Sequence, residues 1–390
     1  MQIECIVLRE VALPLRAPFT TSYGTLTERR TIVVEVHDDG GFVGYGEAAP
    51  ISPPLYTEES VGTAWHILES YLCPLALQGE WESPEALSDA LGAVRRNYAA
   101  KAGLEAAVWD AYARRAGRPL AAVLGGCRAH VEVGIALGIP PDARTLLSQV
   151  ERALEAGYRR IKIKVQPGWD VEPVRLLRRH FGAFPLAVDA NAAYRLEDAD
   201  HLRRLDEFSL EMIEQPLDWE DFVDHAALQR RLATPICLDE SITSLASARQ
   251  ALALGSCSMI NIKAGRVGGL TPARRIHDLC RAHGIPVWCG GLLESGVGRA
   301  HSLALSALPN FTLPADLAPP DRYLVHDVIA PPLTFSAPGM IALPEGAGIG
   351  VTPSAAALAQ YTVRRTELRR PDRLKAARFA PEKKETDASV

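Results

Sequence analysis

A chain of 390 residues, 47% hydrophobic and 23% charged, has the composition of a folded globular protein, long enough for a barrel-sized domain and a smaller companion. Its net charge of −5, without a long basic run, argues against nucleic acid as a partner, and no apolar run is long enough to span a bilayer. Seven scattered cysteines without a CxxC, ten histidines without an HxH or HExxH, and a start (MQIECIVLREVALPLR) that interrupts any secretory apolar region point to a cytoplasmic protein with reduced thiols, not a disulfide framework or zinc site.

The first 126 residues read as an α+β domain. An alternating strand, TIVVEVHD (31–38), precedes the helical stretches SVGTAWHILESYL (60–72) and AGLEAAVWDAYARRAG (102–117). From about residue 131 a different rhythm begins. The apolar runs VEVGIALG (131–138), RIKIKV (160–165), PLAVDAN (185–191), LEMIEQP (210–216), TPICLDE (234–240), SMINIKA (258–264), IPVWCGG (285–291) and FTLPAD (311–316) read as strands. Between them lie helical runs over 146–157, 172–182, 247–255 and 271–284, each ending in glycine as helix C-termini do. This alternation predicts parallel βαβ units closed into a (β/α)8-type barrel over 127–325. An open doubly wound sheet is the alternative, but no GxGxxG follows the first strand. The segment 326–370, with its glycine turns in IALPEGAGIGVTP, comes too late for a barrel unit and is expected to pack back on the first domain. The tail 371–390 is expected to be disordered.

One charged residue recurs near the end of each central strand: Lys164, Asp189, Glu214, Asp239 and Lys263, at intervals of 25, 25, 25 and 24. In a barrel those ends form one face, where active sites are built. A structural ion-pair network is the alternative reading. Three carboxylates converging there would repel unless a cation neutralised them, and an all-oxygen set favours Mg²⁺, with Mn²⁺ as a substitute. Asn191, two residues after Asp189, falls on the same side; Glu240, next to Asp239, is expected on the other face in a structural role.

Of 42 basic residues only seven are lysine, yet RIKIKV places Lys162 and Lys164 on one side of a single strand. A lysine can lose its proton where an arginine effectively cannot. Lys162 is placed to depress the pKa of Lys164 and make it a base, with Lys263 across the rim. A lysine pair beside a hard cation suits removal of a proton alpha to a carboxylate, with charge held on the ene-diolate that forms.

With KIKVQPGWD, VDAN, IEQPL, CLDES, NIKAGRVGG, WCGGLLESGVGRAH and LPNFTLPAD, and with PFTTSYGT (18–25) and PLYTEE (54–59) in the first domain, the chain resembles the enolase superfamily along nearly its whole length. The likeness is to its muconate-lactonizing subgroup, and within it to the o-succinylbenzoate synthase / N-acylamino acid racemase family. That resemblance implies an enolase-like barrel capped by the first domain. It implies Lys164 as base, Lys263 as the opposite-face lysine, and Asp189, Glu214 and Asp239 as Mg²⁺ ligands; Lys162 joins the catalytic set through its place beside Lys164. Ser22 and Tyr56 in the closing loops, Asn191, and Gly290, Gly291, Leu292 and Glu294 in GGLLES would meet a small-molecule carboxylate substrate, with backbone N–H groups of GGLLES near a succinyl carboxylate. A homo-oligomer is implied as well. Two activities share these residues: syn-dehydration to o-succinylbenzoate in menaquinone synthesis, and N-acyl (N-succinyl) amino acid racemisation. The histidine base of mandelate racemases is absent from IPVWCGG, and FTLPAD carries only Asp316 of the DxD of dipeptide epimerases.

Overall fold

The computed structural model describes residues 1–21 and 24–371, with side chains described outside 19–25. The tail expected from residue 371 falls, from 372 onward, outside the described residues.

The first domain is built on three long antiparallel strands, β1 (Ile3–Thr21), β2 (Gly24–Asp38) and β3 (Val43–Ala48). The two-residue period of β2 divides its side chains between two cores. Ile32, Val34 and Val36 are buried against the domain's helices, while Val33 joins Val11 and Leu13 in the core shared with the second domain. The helix Tyr98–Arg115 lies directly on β3 because Gly44 and Gly46 have no side chain. A Cβ at either position would come 2.1 Å from a backbone oxygen of that helix.

The second domain begins with β4 (His130–Glu132) and β5 (Ile135–Leu137). It continues through β6 (Ile161–Lys164), β7 (Leu186–Asp189), β8 (Ile213–Glu214), β9 (Ile236–Leu238), β10 (Met259–Asn261) and β11 (Val287–Trp288). Strands β5 to β11 form one parallel sheet in sequence order. The segment 311–316 closes it: Phe311 bridges Val287 and Ala315 bridges Val133, and the N–H groups of Thr312 and Asp316 donate to Val287 and Cys289 at 3.1 and 2.9 Å. This last stretch makes isolated bridges, not a continuous strand, since Pro314 has no N–H to give a ladder. The barrel is thus seven regular strands and one irregular stave. Inward-facing Ala187, Met212, Cys237, Met259 and Trp288 fill its interior.

Helices flank the strands. The first barrel helix runs Ala143–Glu155, starting three residues before the sequence pattern suggests, because the Asp142 carboxylate caps it by accepting from Thr145 N–H at 2.7 Å. Helices Val171–Phe181, Leu245–Leu254 and Leu270–Ala282 occupy the other three helical runs. Beyond the barrel come β12 (Ile329–Ala330), β13 (Met340–Ala342), β14 (Thr352–Pro353) and β15 (Thr362–Arg369). β13 pairs with β4, and Ile349 N–H donates to Asp110 on the first domain's long helix. β15 becomes the fourth strand of the first domain's sheet, antiparallel to β1.

Two buried carboxylates of the first domain hold the barrel against it. Glu105 accepts from the N–H groups of Leu270 and Thr271 at 2.7 and 2.8 Å, capping a helix whose own preceding residue, Gly269, has no side chain to do so. Glu47 accepts from the N–H groups of Ser295 and Gly298 and from the Ser295 hydroxyl, at 3.0, 2.9 and 2.6 Å, fixing the loop that precedes the helix Gly296–Ser306.

Candidate active site

The regular spacing of charged residues becomes a ring. Parallel register sets Lys164 beside Asp189 and Asp189 beside Glu214 on β6, β7 and β8. Asp239 lies just past the end of β9 and Lys263 just past β10. Lys164 Nζ donates to Asp189 Oδ2 at 2.7 Å and to Asn191 Oδ1 at 2.5 Å. Lys162 Nζ, deeper in the barrel, reaches Glu214 at 2.5 Å, Asp316 at 2.8 Å and Asp189 at 3.4 Å. Across the ring, Lys263 Nζ donates to Asp239 Oδ2 at 2.9 Å and to the Tyr56 hydroxyl at 2.7 Å.

Burial and mutual repulsion set the electrostatics. Burial, then the charge of Asp189, pushes Glu214 up to about 8. Burial would also raise Asp189 and Asp239, but cations outweigh it: Lys164 and Lys162 lower the first, and Arg266 and Lys263 hold the second below the usual carboxylate range. Lys162 is held charged far above the ordinary lysine range. Its burial opposes this, and the carboxylates of Asp316, Glu214 and Asp189 prevail.

The donor chemistry suits a hard divalent cation, since Asp189, Glu214 and Asp239 are three carboxylates from three neighbouring staves. Glu214, pushed towards its neutral form by burial and by the charge of Asp189, is the group a cation would relieve. Among the described residues, no three acidic, His or Cys side chains stand gathered as a ready cage. Each carboxylate is instead turned to a cation of the chain: Glu214 to Lys162, Asp189 to Lys164, and Asp239 to Lys263 and Arg266.

A cavity of about 250 Å³ opens over this ring, floored by Lys162, Lys164 and Asp189 and roofed by Leu26, Ile51 and Leu55 of the first domain. Asn191, Lys263, Tyr56, Gly290, Gly291 and Leu292 line it too. A Cβ at Gly290 would lie 2.4 Å from Lys263 Cε and 2.6 Å from Asn261 Nδ2, so a side chain there would push one of them aside. Three expectations change. Glu294 is not among the described residues lining the cavity; its carboxylate accepts from Leu292 N–H at 2.8 Å and pairs with Arg299 at 3.2 Å. The N–H groups of Gly290 and Leu292 are taken by Asn261 and Glu294, so the loop does not offer those two to a substrate carboxylate. Glu240 does not face away: β9 ends at Leu238, strand alternation stops with it, and Glu240 accepts from Asn191 Nδ2 at 2.7 Å beside the ring. Ser22 lies outside the described residues.

Sequence reasoning missed Arg266 and Asn261. Arg266 is buried on the short helix Ala264–Val267, paired with Asp239 and donating to the Tyr56 hydroxyl at 2.9 Å. Its position follows no strand period, so the spacing held no signal for it. Asn261 donates to Glu214 at 2.9 Å. Lying two residues before Lys263, it was open to the same alternation that picked out Asn191.

Comparison with known proteins agrees with this fold. Residues 2–125 match the model of the mandelate racemase / muconate lactonizing enzyme N-terminal domain, and residues 145–357 match that of the enolase C-terminal domain-like family. The chain is 52% identical to an o-succinylbenzoate synthase of Geobacillus stearothermophilus, over 93% of this chain and 96% of that one. It is 47% identical to an N-succinylamino acid racemase of Thermus thermophilus, over 90% and 95%. A solved enolase-superfamily structure from Listeria innocua superposes with a TM-score of 0.93 at 40% identity, covering 95% of this chain and all of that one. With both of its domains matched and these relatives covering nearly its full length, the chain belongs to the mandelate racemase / muconate lactonizing enzyme family of the enolase superfamily.

Proposed function

We propose that this chain is an o-succinylbenzoate synthase, removing water in syn fashion from a cyclohexadiene carboxylate through an ene-diolate, in menaquinone synthesis in the cytoplasm. The observation that carries the reading is the pair Lys164 and Lys263 on opposite sides of three buried carboxylates, at the bottom of a cavity that opens between the two domains. Lys164, at the cavity floor, takes the alpha proton on its Nζ and, the elimination being syn, returns it to the hydroxyl departing from the same face, so that the C–O bond breaks and water leaves. Lys162 and Lys263 present compact positive charge where the ene-diolate develops. Tyr56 and Asp239 hold Lys263 in place, and Leu26, Ile51 and Leu55 of the first domain give the cavity an apolar border above the lysines. Asp189, Glu214 and Asp239 would hold a divalent cation, Mg²⁺ with Mn²⁺ as substitute, which supplies Lewis-acid charge to the substrate carboxylate when bound. A homo-oligomer is part of the same reading.

The likeness to the Thermus racemase favours a second activity on the same residues, racemisation of N-succinyl amino acids with Lys263 returning the proton to the opposite face. The test is a spectrophotometric dehydration assay with Mg²⁺ and then with EDTA. Fast, EDTA-sensitive loss of diene absorbance supports the synthase. Slow or absent loss, with alpha-proton exchange of N-succinyl amino acids in D₂O, moves the assignment to the racemase.

A further inference from the structure

Asp316 stands apart from the ring yet touches it. It ends the irregular stave that closes the barrel, and its backbone is fixed at both polar groups: its N–H donates to Cys289 at 2.9 Å, and its C=O accepts from Arg299 at 3.1 Å. The side chain is therefore aimed inward by the barrel closure itself. Its two oxygens go to two different cations, Oδ1 to Arg160 at 3.0 Å and Oδ2 to Lys162 at 2.8 Å. Both cations lie over the Trp288 ring, at 4.1 and 4.7 Å from its centre. Arg160 is fully buried, and Asp316 is the carboxylate paired with it. Burial alone would raise Asp316, but Lys162 and Arg160 together bring it down to about 2, so it stays ionised.

Lys162 has three carboxylate partners: Glu214, Asp316 and Asp189. Two of these belong to the set read above as cation ligands. Asp316 does not: its ion pairs are with Lys162 and Arg160. We propose that Asp316 is a positioning residue that takes a share of Lys162 from Glu214 and Asp189, so that these two give way more readily to the metal while the ammonium stays fixed beside the reacting carbon. This inference rests on the metal reading above. Without Asp316, Lys162 would fall wholly on Glu214 and Asp189 and compete with the cation for them.

The experiment is calorimetric titration of Mg²⁺ into EDTA-stripped protein, alongside steady-state dehydration kinetics. For D316N we expect apparent Mg²⁺ affinity to weaken about tenfold and kcat to fall about tenfold with KM within about threefold. D316E, which keeps the charge, should bind Mg²⁺ within about threefold of wild type. In a K162M background, D316N should change Mg²⁺ affinity by less than about twofold, because the residue it acts through is gone. If D316N does not fold, R160L/D316N removes the stranded buried cation together with its anion and carries the same comparison. Wild-type Mg²⁺ affinity in D316N, equal losses in the presence and absence of Lys162, or a rise in KM with kcat intact would each overturn the proposal. Failure of the wild-type protein to bind any divalent cation would instead overturn the metal reading on which it rests.

Discussion

Single side chains decide the chemistry here, and the clearest case is the choice of lysine. Lys164 sits between Asp189 and Asn191 in a chain that otherwise prefers arginine. Arginine in its place keeps the charge and loses the exchangeable proton. K164R should therefore lower kcat/KM by roughly 10²–10⁴, the usual worth of a positioned base, with an unchanged circular dichroism spectrum. Full activity in K164R would remove Lys164 from the role of base. Tyr56 offers a second residue-scale test. Its hydroxyl contacts Lys263, Arg266 and Asp239 at once, so Y56F should cost about tenfold in kcat while thermal stability changes little. The ring of five charged residues was legible because each occupies the same place in a repeated unit. Arg266 and the pairing of Asp316 with Lys162 were not, since both contacts join residues whose separation in sequence carries no period.

Secondary-structure elements determine how accurately those side chains are aimed. The loop after β11 passes so close to Lys263 and Asn261 that any side chain at position 290 would have to displace one of them. G290A should displace the lysine and reduce activity by about 10²-fold, the scale of a displacement of around 1 Å at a reacting group, while unfolding measurements register a loss of about 1–3 kcal/mol for the forced contact. An unchanged kcat in G290A would show that the Lys263 position is not critical. Strand length matters equally. Alternation along β6 holds through Lys164 and places both lysines inside. β9 stops at Leu238, so alternation says nothing about Glu240, whose carboxylate comes round to Asn191. Period-two reasoning holds within a ladder, where hydrogen bonds enforce the pleat; beyond the ladder nothing enforces it, and Asn191 keeps the expected side while Glu240 does not.

At the scale of the whole molecule, the two domains meet through buried carboxylates, and this gives stability a pH dependence. Burial raises Glu105 from 4.5 to about 7, against the hydrogen bonds from Thr271, Leu270 and Trp109 that favour its charged form. A folded-state pKa above the unfolded one means stability that is fully present below about 4.5 and lost as pH rises through about 7. The contribution is at most roughly 3 kcal/mol. Urea unfolding of EDTA-treated protein from pH 4.5 to 8 should show wild type weakening more steeply than E105Q, which has no proton to lose there. Equal slopes would mean that Glu105 does not titrate across this range. EDTA matters because Glu214, raised to about 8, would otherwise change with bound metal.

The sequence by itself determined the class of fold and the ring of lysines and carboxylates. A (β/α) barrel repeats one local pattern, and that repeat writes the strand ends at near-constant spacing. The tertiary structure alone decided which charges pair, which backbone groups of the GGLLES loop are already taken, and how the irregular stave 311–316 closes the barrel and brings Asp316 onto Lys162. It also placed Tyr56, from the other domain, against Lys263. Apart from the local bond between Leu292 and Glu294, these contacts join residues dozens to hundreds of positions apart, and only the packing of staves and domains fixes such distances.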